Sequence, residues 1–244
     1  MPFTFSHPAI VLPFNYLPKK WFSLTALVTG SMIPDFEYFI RMNMETRYSH
    51  TWTGLFWFDL PLTLFFMLIY NALVKDKLID HLPVYLNKRL SRFKTHGRPY
   101  FKQPLAIIML SAVIGGASHI FWDSFTHPGR YFVTHIPALT HIVFIAGRAF
   151  PVFEIVQHLS TLTGAIIIAY AIVQLPVGEH TGGGKIVYYW ISIVAVALLF
   201  VMIRLFTGLN LQQYGDVIVT GISGMLIGLV LISIITPSKR VALS

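Results

Sequence analysis

Cysteine is absent from the 244 residues, and charge is scarce: Asp, Glu, Lys and Arg make up 11% of the chain, where a soluble domain carries about a quarter. The first absence excludes a disulfide scaffold and a cysteine nucleophile. The second, with 55% hydrophobic residues and a mean hydropathy of +0.66, excludes disorder and an ordinary cytosolic enzyme. G-x-S-x-G, Walker and H-E-x-x-H motifs are missing too, which removes the common serine-hydrolase, nucleotide-binding and zincin readings. No basic residue precedes the first apolar stretch, since Lys19 and Lys20 follow it. No cleaved signal peptide is expected.

What is present is long apolar sequence. Six segments, at 21–40, 51–74, 104–127, 154–175, 186–206 and 214–235, each approach the ~20 residues of a spanning helix. Residues 5–17 are apolar but too short to cross alone. The expected fold is therefore all-α: a polytopic membrane helix bundle of about six spanning helices plus a short N-terminal helix, forming a single domain over 1–244. Its long polar insertion, 75–103, carries eight Lys or Arg against Asp76 and Asp80. With that loop in the cytoplasm, alternation puts thirteen of the eighteen basic residues on the same side, and seven of the ten acids opposite. The net charge of +8 is thus a matter of topology, suited to anionic lipid headgroups, and nucleic acid is not an expected partner.

Ionisable groups at membrane depth cost at least ~2.5 kcal/mol each on insertion scales, so each needs a partner or a task. The strongest pattern is His119-x-x-x-Asp123-x-x-x-His127. On a helix, residues four apart share one face, and imidazole with carboxylate suits zinc or a similar divalent ion. The alternative is a buried polar stripe that hydrogen-bonds to neighbouring helices. Asp35 follows Pro34 near the outer end of the first long span, either as a helix N-cap or as a ligand level with the stripe. His50 opens the second span. His7 reaches the same level if residues 7–19 and 21–35 form a helical hairpin turning at Pro18-Lys19-Lys20, with arms of about 18 and 21 Å. Glu154-x-x-x-His158 is a further i, i+4 pair, ligands or a helix-start ion pair. Arg130, Arg41 and Arg47 are either anion contacts or headgroup anchors. Asp59, ahead of Pro61, reads as a satisfied polar contact, His135 and His141 as solvated. His81, His96 and His180 belong to the basic side. Three Ser-His dipeptides, at 6–7, 49–50 and 118–119, are not expected to pair, because adjacent helical residues point apart.

Several of these stretches resemble one another's company elsewhere. Pro2-Phe3-Thr4-Phe5-Ser6-His7-Pro8-Ala9, Gly30-Ser31-Met32-Ile33-Pro34-Asp35-Phe36-Glu37-Tyr38, Ser49-His50-Thr51, and Gly116 through His119 to Asp123-Ser124-Phe125-Thr126-His127 resemble an uncharacterised bacterial multi-spanning membrane family labelled a domain of unknown function, over residues 2 to about 165. The ligand order is also similar to predicted membrane-bound metal-dependent hydrolases, a group described as LexA-binding and inner-membrane-associated, and remotely to zinc-dependent phospholipase C. The resemblance implies His7, Asp35, His50, His119, Asp123 and His127 as metal ligands. It departs from the soluble enzymes in lacking their N-terminal tryptophan ligand and in reversing their H-x-x-x-E pair as Glu154 and His158.

The leading expectation is a metal-dependent hydrolase of the bacterial inner membrane, with its site on the outer side and a phosphoester or related bond of a lipid or lipid-linked substrate as its target. Zinc is the first-choice cofactor, with Glu154 or Asp35 as general base, His158 as a further ligand, and Arg130 on the anionic headgroup. The alternative is a transporter or a proton- or metal-conducting protein that uses the same stripe as a relay.

Overall fold

The computed structural model describes residues 3–18, 20–95, 103–183 and 185–237. Lys19, His96, Arg98, Lys102, Lys239 and Arg240, counted above toward the basic side, lie outside them. Five helices are long and apolar enough to cross a membrane: Leu55–Asp80, Leu105–Asp123, Val152–Val173, Ile186–Phe206 and Tyr214–Ile235. The protein is a multi-pass, all-α membrane protein. Val152–Val173 shows why water is excluded as its solvent: Gly164 is its buried position, while Leu159, Leu162, Ile166, Ile167 and Tyr170 are exposed. A face of that size and composition belongs in hydrocarbon.

The segment 21–40, expected to span, is broken instead. A helix runs Leu24–Gly30, capped by the Ser23 hydroxyl, which accepts from the Ala26 amide at 3.4 Å. A 3-10 turn then covers Ile33–Asp35, and a second helix covers Phe36–Arg41. Pro34 has no N–H to give to an α-helical ladder, so the chain changes path there. The second span begins at Leu55 rather than 51 and continues to Asp80, into the polar insertion. It is widened into π-helical turns at Leu55–Asp59 and Tyr70–Val74, the first directly ahead of Pro61, where a wide turn accommodates the missing donor.

The chain forms two compact units. The first gathers residues up to Phe36, Arg47–Phe65 and Gln103–Ala171. Here the Leu24–Gly30 helix lies backbone against backbone on Leu105–Asp123. A side chain at Gly30 would strike the Ala112 carbonyl, and one at Gly115 the Leu27 carbonyl. Small residues permit that approach, as in membrane helix pairs generally. Two polar contacts pin the ends: the Ser23 amide donates to Ser111 Oγ at 2.9 Å, and His119 Nδ1 donates to the Ser31 carbonyl at 2.7 Å. The N-terminal segment is two short 3-10 helices, Thr4–Ile10 and Leu12–Tyr16. It docks on Val152–Val173 through Phe3 N to Thr161 Oγ1 (2.9 Å) and Ser6 Oγ to the Thr161 carbonyl (3.0 Å). Between Leu105–Asp123 and Val152–Val173, an antiparallel hairpin pairs Ile142–Ile145 with Arg148–Pro151. Its turn places Ala146 and Gly147 at φ 50° and 79°, the left-handed pair that suits a two-residue hairpin.

The second unit gathers Glu37–Thr46 and the described parts of 66–102 and 172–244. Ile186–Phe206 and Tyr214–Ile235 pack along each other, with Tyr189 Oη 3.0 Å from Ser233 Oγ. The polar insertion is ordered where described. Val84–Leu90 is helical, Lys94 pairs with Asp80 at 2.7 Å, and the His81 ring stacks on Tyr189.

Candidate metal centre

His119 and Asp123 stand one turn apart on the buried face of Leu105–Asp123, 0% and 1% exposed. Two further buried residues meet them. Asp35 arrives from the 3-10 turn after Pro34, and His50 from the loop ahead of the second span. Each of the four offers one ligand atom to a common group, all within 4.8 Å of one another. The distances are close to uniform. His50 Nε2 lies 3.3 Å from Asp35 Oδ1 and 3.4 Å from Asp123 Oδ2. His119 Nε2 lies 3.4 Å from Asp35 Oδ1 and 3.3 Å from Asp123 Oδ2, and the two Nε2 atoms are 3.3 Å apart. A tetrahedral ion with ligand bonds of about 2.0–2.1 Å has donor–donor edges of about 3.3–3.4 Å. Five of the six edges therefore already have the length that coordination requires, and the group could hold a metal ion.

The surroundings turn the donors inward. A carbonyl can only accept, so the Ser31 oxygen fixes the proton of neutral His119 on Nδ1 and leaves Nε2 as a lone pair. His50 Nδ1 is 2.9 Å from Ser49 Oγ, a hydroxyl that can accept as well as donate and so permits the same tautomer. The adjacent Ser49 and His50 do meet, contrary to the expectation from helical geometry, because His50 is not helical: its φ is 59°. A left-handed conformation is rare for a residue with a side chain and persists where the surroundings impose it. Arg130 supplies part of that constraint, donating from Nη1 to the His50 carbonyl at 2.8 Å. Neither Ser49 nor the Ser31 carbonyl was singled out from the sequence, although the repeated Ser-His dipeptide was a signal for the first.

The carboxylates carry the electrostatic argument. None of the four oxygens of Asp35 and Asp123 has a hydrogen-bond partner among the described residues. The N-cap alternative for Asp35 therefore fails, since no backbone amide satisfies it. Two buried acids beside two inward lone pairs repel one another unless a cation or protons lie between them.

The remaining expected residues divide. His7 is fully buried, its ring stacked on His119 at 3.7 Å between centroids and its Nε2 3.5 Å from Asp123 Oδ1. Burial pushes its imidazole down from the ordinary value to about 3, with the neighbouring His119 adding to the effect. It is neutral at physiological pH, the form that binds metal. His127 Nδ1 lies 3.6 Å from the same oxygen, and burial lowers that imidazole too, against the pull of Asp123. Glu154 is half-buried and His158 exposed on Val152–Val173, and neither belongs to the group of four. Arg41 pairs with Glu37 at 2.7 Å. Asp59 is buried, while His135 and His141 are exposed. His180 and His81 belong to the second unit. An apolar crevice of about 340 Å³ borders the His7 side, lined by Ala9, Ile10, Phe121, Trp122, Phe125 and Ile167, with the Trp122 ring 5.5 Å from that of His7.

The family model of a domain of unknown function, DUF4184, matches residues 1–234. The chain belongs to that family, and the match takes in the last two helices, which the resemblance ending near 165 left out. No curated protein and no solved structure matches.

Proposed function

We propose that this DUF4184 member is a membrane-embedded, metal-dependent hydrolase that cleaves a phosphoester or related bond of a lipid or lipid-linked substrate. The observation that carries the reading is the convergence of Asp35, His50, His119 and Asp123 donors within 4.8 Å of one another, five of their separations being 3.3–3.4 Å, buried at the end of a spanning helix. The N/O donor set makes zinc the first candidate. A divalent cation there would supply polarisation of a phosphoryl oxygen and an acidic bound water, with pKa near ~7.

The protein's own groups do the rest. The Ser31 carbonyl holds His119 in its ligand tautomer, and the Ser49 hydroxyl orients the His50 ring through Nδ1. Asp35 meets His50 and His119 through Oδ1, which would leave Oδ2 to accept a proton as general base. It is better placed for that role than Glu154, which lies outside the group. Arg130 spends one N–H on the His50 carbonyl and keeps others for an anionic headgroup. The apolar crevice beside His7 suits a hydrocarbon chain arriving laterally from the bilayer, and that is what supports a lipid as substrate. The bacterial inner membrane, with the site toward the outer side, completes the reading.

The test is elemental mass spectrometry of detergent-purified protein, followed by hydrolysis of phospholipids and lipid phosphates with no gradient present. The expected result is bound metal and a phosphate-releasing or headgroup-releasing activity that chelation abolishes. Failure to bind metal after reconstitution with zinc or manganese overturns the reading, as does metal binding with no chelator-sensitive hydrolysis of any of these substrates. One observation favours a relay or transporter instead: Asp35 sits at a break in its helix, as ion sites of transporters do. Metal-coupled flux into proteoliposomes, without hydrolysis, would select that reading.

A further inference from the structure

The stretch that joins Leu105–Asp123 to Val152–Val173 is poor in charge for a loop between spans. Between Arg130 and Glu154, Arg148 is its sole Asp, Glu, Lys or Arg. Both flanking helices are long and apolar enough to cross, so the stretch leaves and re-enters the bilayer on one membrane face, where Asp123 ends its helix. Its last part is the hairpin of Ile142–Ile145 and Arg148–Pro151, whose second strand runs directly into Val152–Val173. A four-residue strand rises about 13 Å, which keeps the hairpin tip close to the start of a spanning helix.

Register sorts the hairpin's side chains onto two faces, because cross-strand partners share a face and neighbours along a strand alternate. Ile142 pairs with Pro151 and Phe144 with Ala149, which makes one face wholly apolar. Val143 with Phe150, and Ile145 with Arg148, make the other. Ile142, Phe144 and Ile145 are exposed, Phe144 by 75%, and so are Arg148 and Ala149. A lone two-stranded hairpin is marginally stable in water, and open edges carrying apolar side chains invite aggregation. The headgroup–acyl boundary removes both problems: apolar side chains enter hydrocarbon there, while a long cationic side chain reaches the phosphates.

We infer that the 142–151 hairpin is an interfacial anchor. The face of Ile142, Phe144, Ala149 and Pro151 lies on the acyl chains of the leaflet nearest the metal centre, and Arg148, on the opposite face, holds the phosphate of a lipid headgroup. The occupant is the lipid of the membrane that Val152–Val173 crosses, since the hairpin continues directly into that helix and its exposed apolar side chains. Neither the metal nor the hydrolytic chemistry enters this assignment. Phe132, on the same loop, stacks on Phe125 with 4.1 Å between centroids, and Phe125 lines the crevice beside His7. An anchored loop holds that wall of the crevice at headgroup level.

Because the chain has no cysteine, the full-length protein can be spin-labelled at one introduced thiol at a time. Ala149→Cys and Arg148→Cys, each carrying a nitroxide, are compared in liposomes of phosphatidylcholine and phosphatidylglycerol, with Glu179→Cys as the aqueous reference. All three positions are exposed, so no label displaces a packed side chain. Power-saturation electron paramagnetic resonance reads collisions with oxygen, which concentrates among acyl chains, against those with a water-soluble nickel chelate. The expected oxygen-to-nickel ratio is severalfold higher at Ala149→Cys than at Glu179→Cys, with Arg148→Cys between them. A ratio at Ala149→Cys equal to the aqueous reference overturns the anchor. Equal ratios at Ala149→Cys and Arg148→Cys overturn the assignment of the faces. Dipolar broadening at Ala149→Cys that disappears on dilution with unlabelled protein overturns lipid as the occupant, in favour of a second copy of the chain.

Discussion

Asn87 in the second unit and Asp123 in the first are both buried side chains with two polar atoms, and their surroundings treat them in opposite ways. Asn87 is 0% exposed. Its Nδ2 donates to the Ile79 carbonyl at 2.7 Å, while Oδ1 accepts from the Thr181 amide at 3.0 Å and from His180 Nδ1 at 2.9 Å. That knot closes on itself and ties His180 and Thr181 to the polar insertion. Asp123 is 1% exposed, yet neither oxygen has a hydrogen-bond partner among the described residues, and both face imidazole nitrogens. A closed polar network is complete as it stands. One that leaves carboxylates and lone pairs facing each other is arranged for a cation.

The contrast can be broken most severely at Asp123. Asp123→Ala should lose all stoichiometric metal, read by elemental analysis, and should abolish the rise in Tm that Zn²⁺ produces in wild type. For a ligand at a thousandfold its Kd, that rise corresponds to about 4 kcal/mol. A variant that still binds zinc one-to-one would show that the tetrahedral group is not the site. A smaller effect is expected from Ser49→Ala, which removes the hydroxyl beside His50 Nδ1. Metal affinity should fall about 10–100-fold, the usual loss when an outer partner of a ligand is removed, and a competition titration against a chelator measures it.

Asn87→Ala sharpens the comparison from the other side. It should cost about 1–3 kcal/mol for the polar groups left unpaired, seen as a lower Tm in detergent, with the metal content unchanged. Metal loss in that variant would mean that the two clusters are energetically one. The smallest effect belongs to Glu154→Gln and His158→Ala, which should alter neither metal content nor Tm measurably. Loss of an ion in His158→Ala would restore the ligand role read for it from the sequence.

Much of this was legible along the chain because its cause is periodic. Three of the five helices long enough to span start and end within about two residues of the apolar segments that announced them, since hydrocarbon burial depends on composition and length alone. His119 and Asp123 were readable as neighbours because a helix makes i and i+4 meet. The break at Ser31–Asp35 was less legible: the hydropathy of 21–40 does not register Pro34, although the residue itself was visible. The hairpin at 142–151 was missed, because two four-residue strands in a loop carry too short an alternation, and Ala146-Gly147 was the available signal.

The sequence by itself determined an all-α membrane protein, a basic insertion, and a metal-suited stripe on one helix, because each follows from local spacing and composition. Only the tertiary structure decided which residues from elsewhere complete that stripe. Asp35 and His50 come in at 3.3–3.4 Å, His7 stacks behind His119, and Glu154 and His158 stay outside. Those outcomes depend on contacts between residues up to 116 positions apart, such as His7 with Asp123, and on a left-handed His50 that no local propensity favours. Chain folding sets such distances, and no sequence period encodes them.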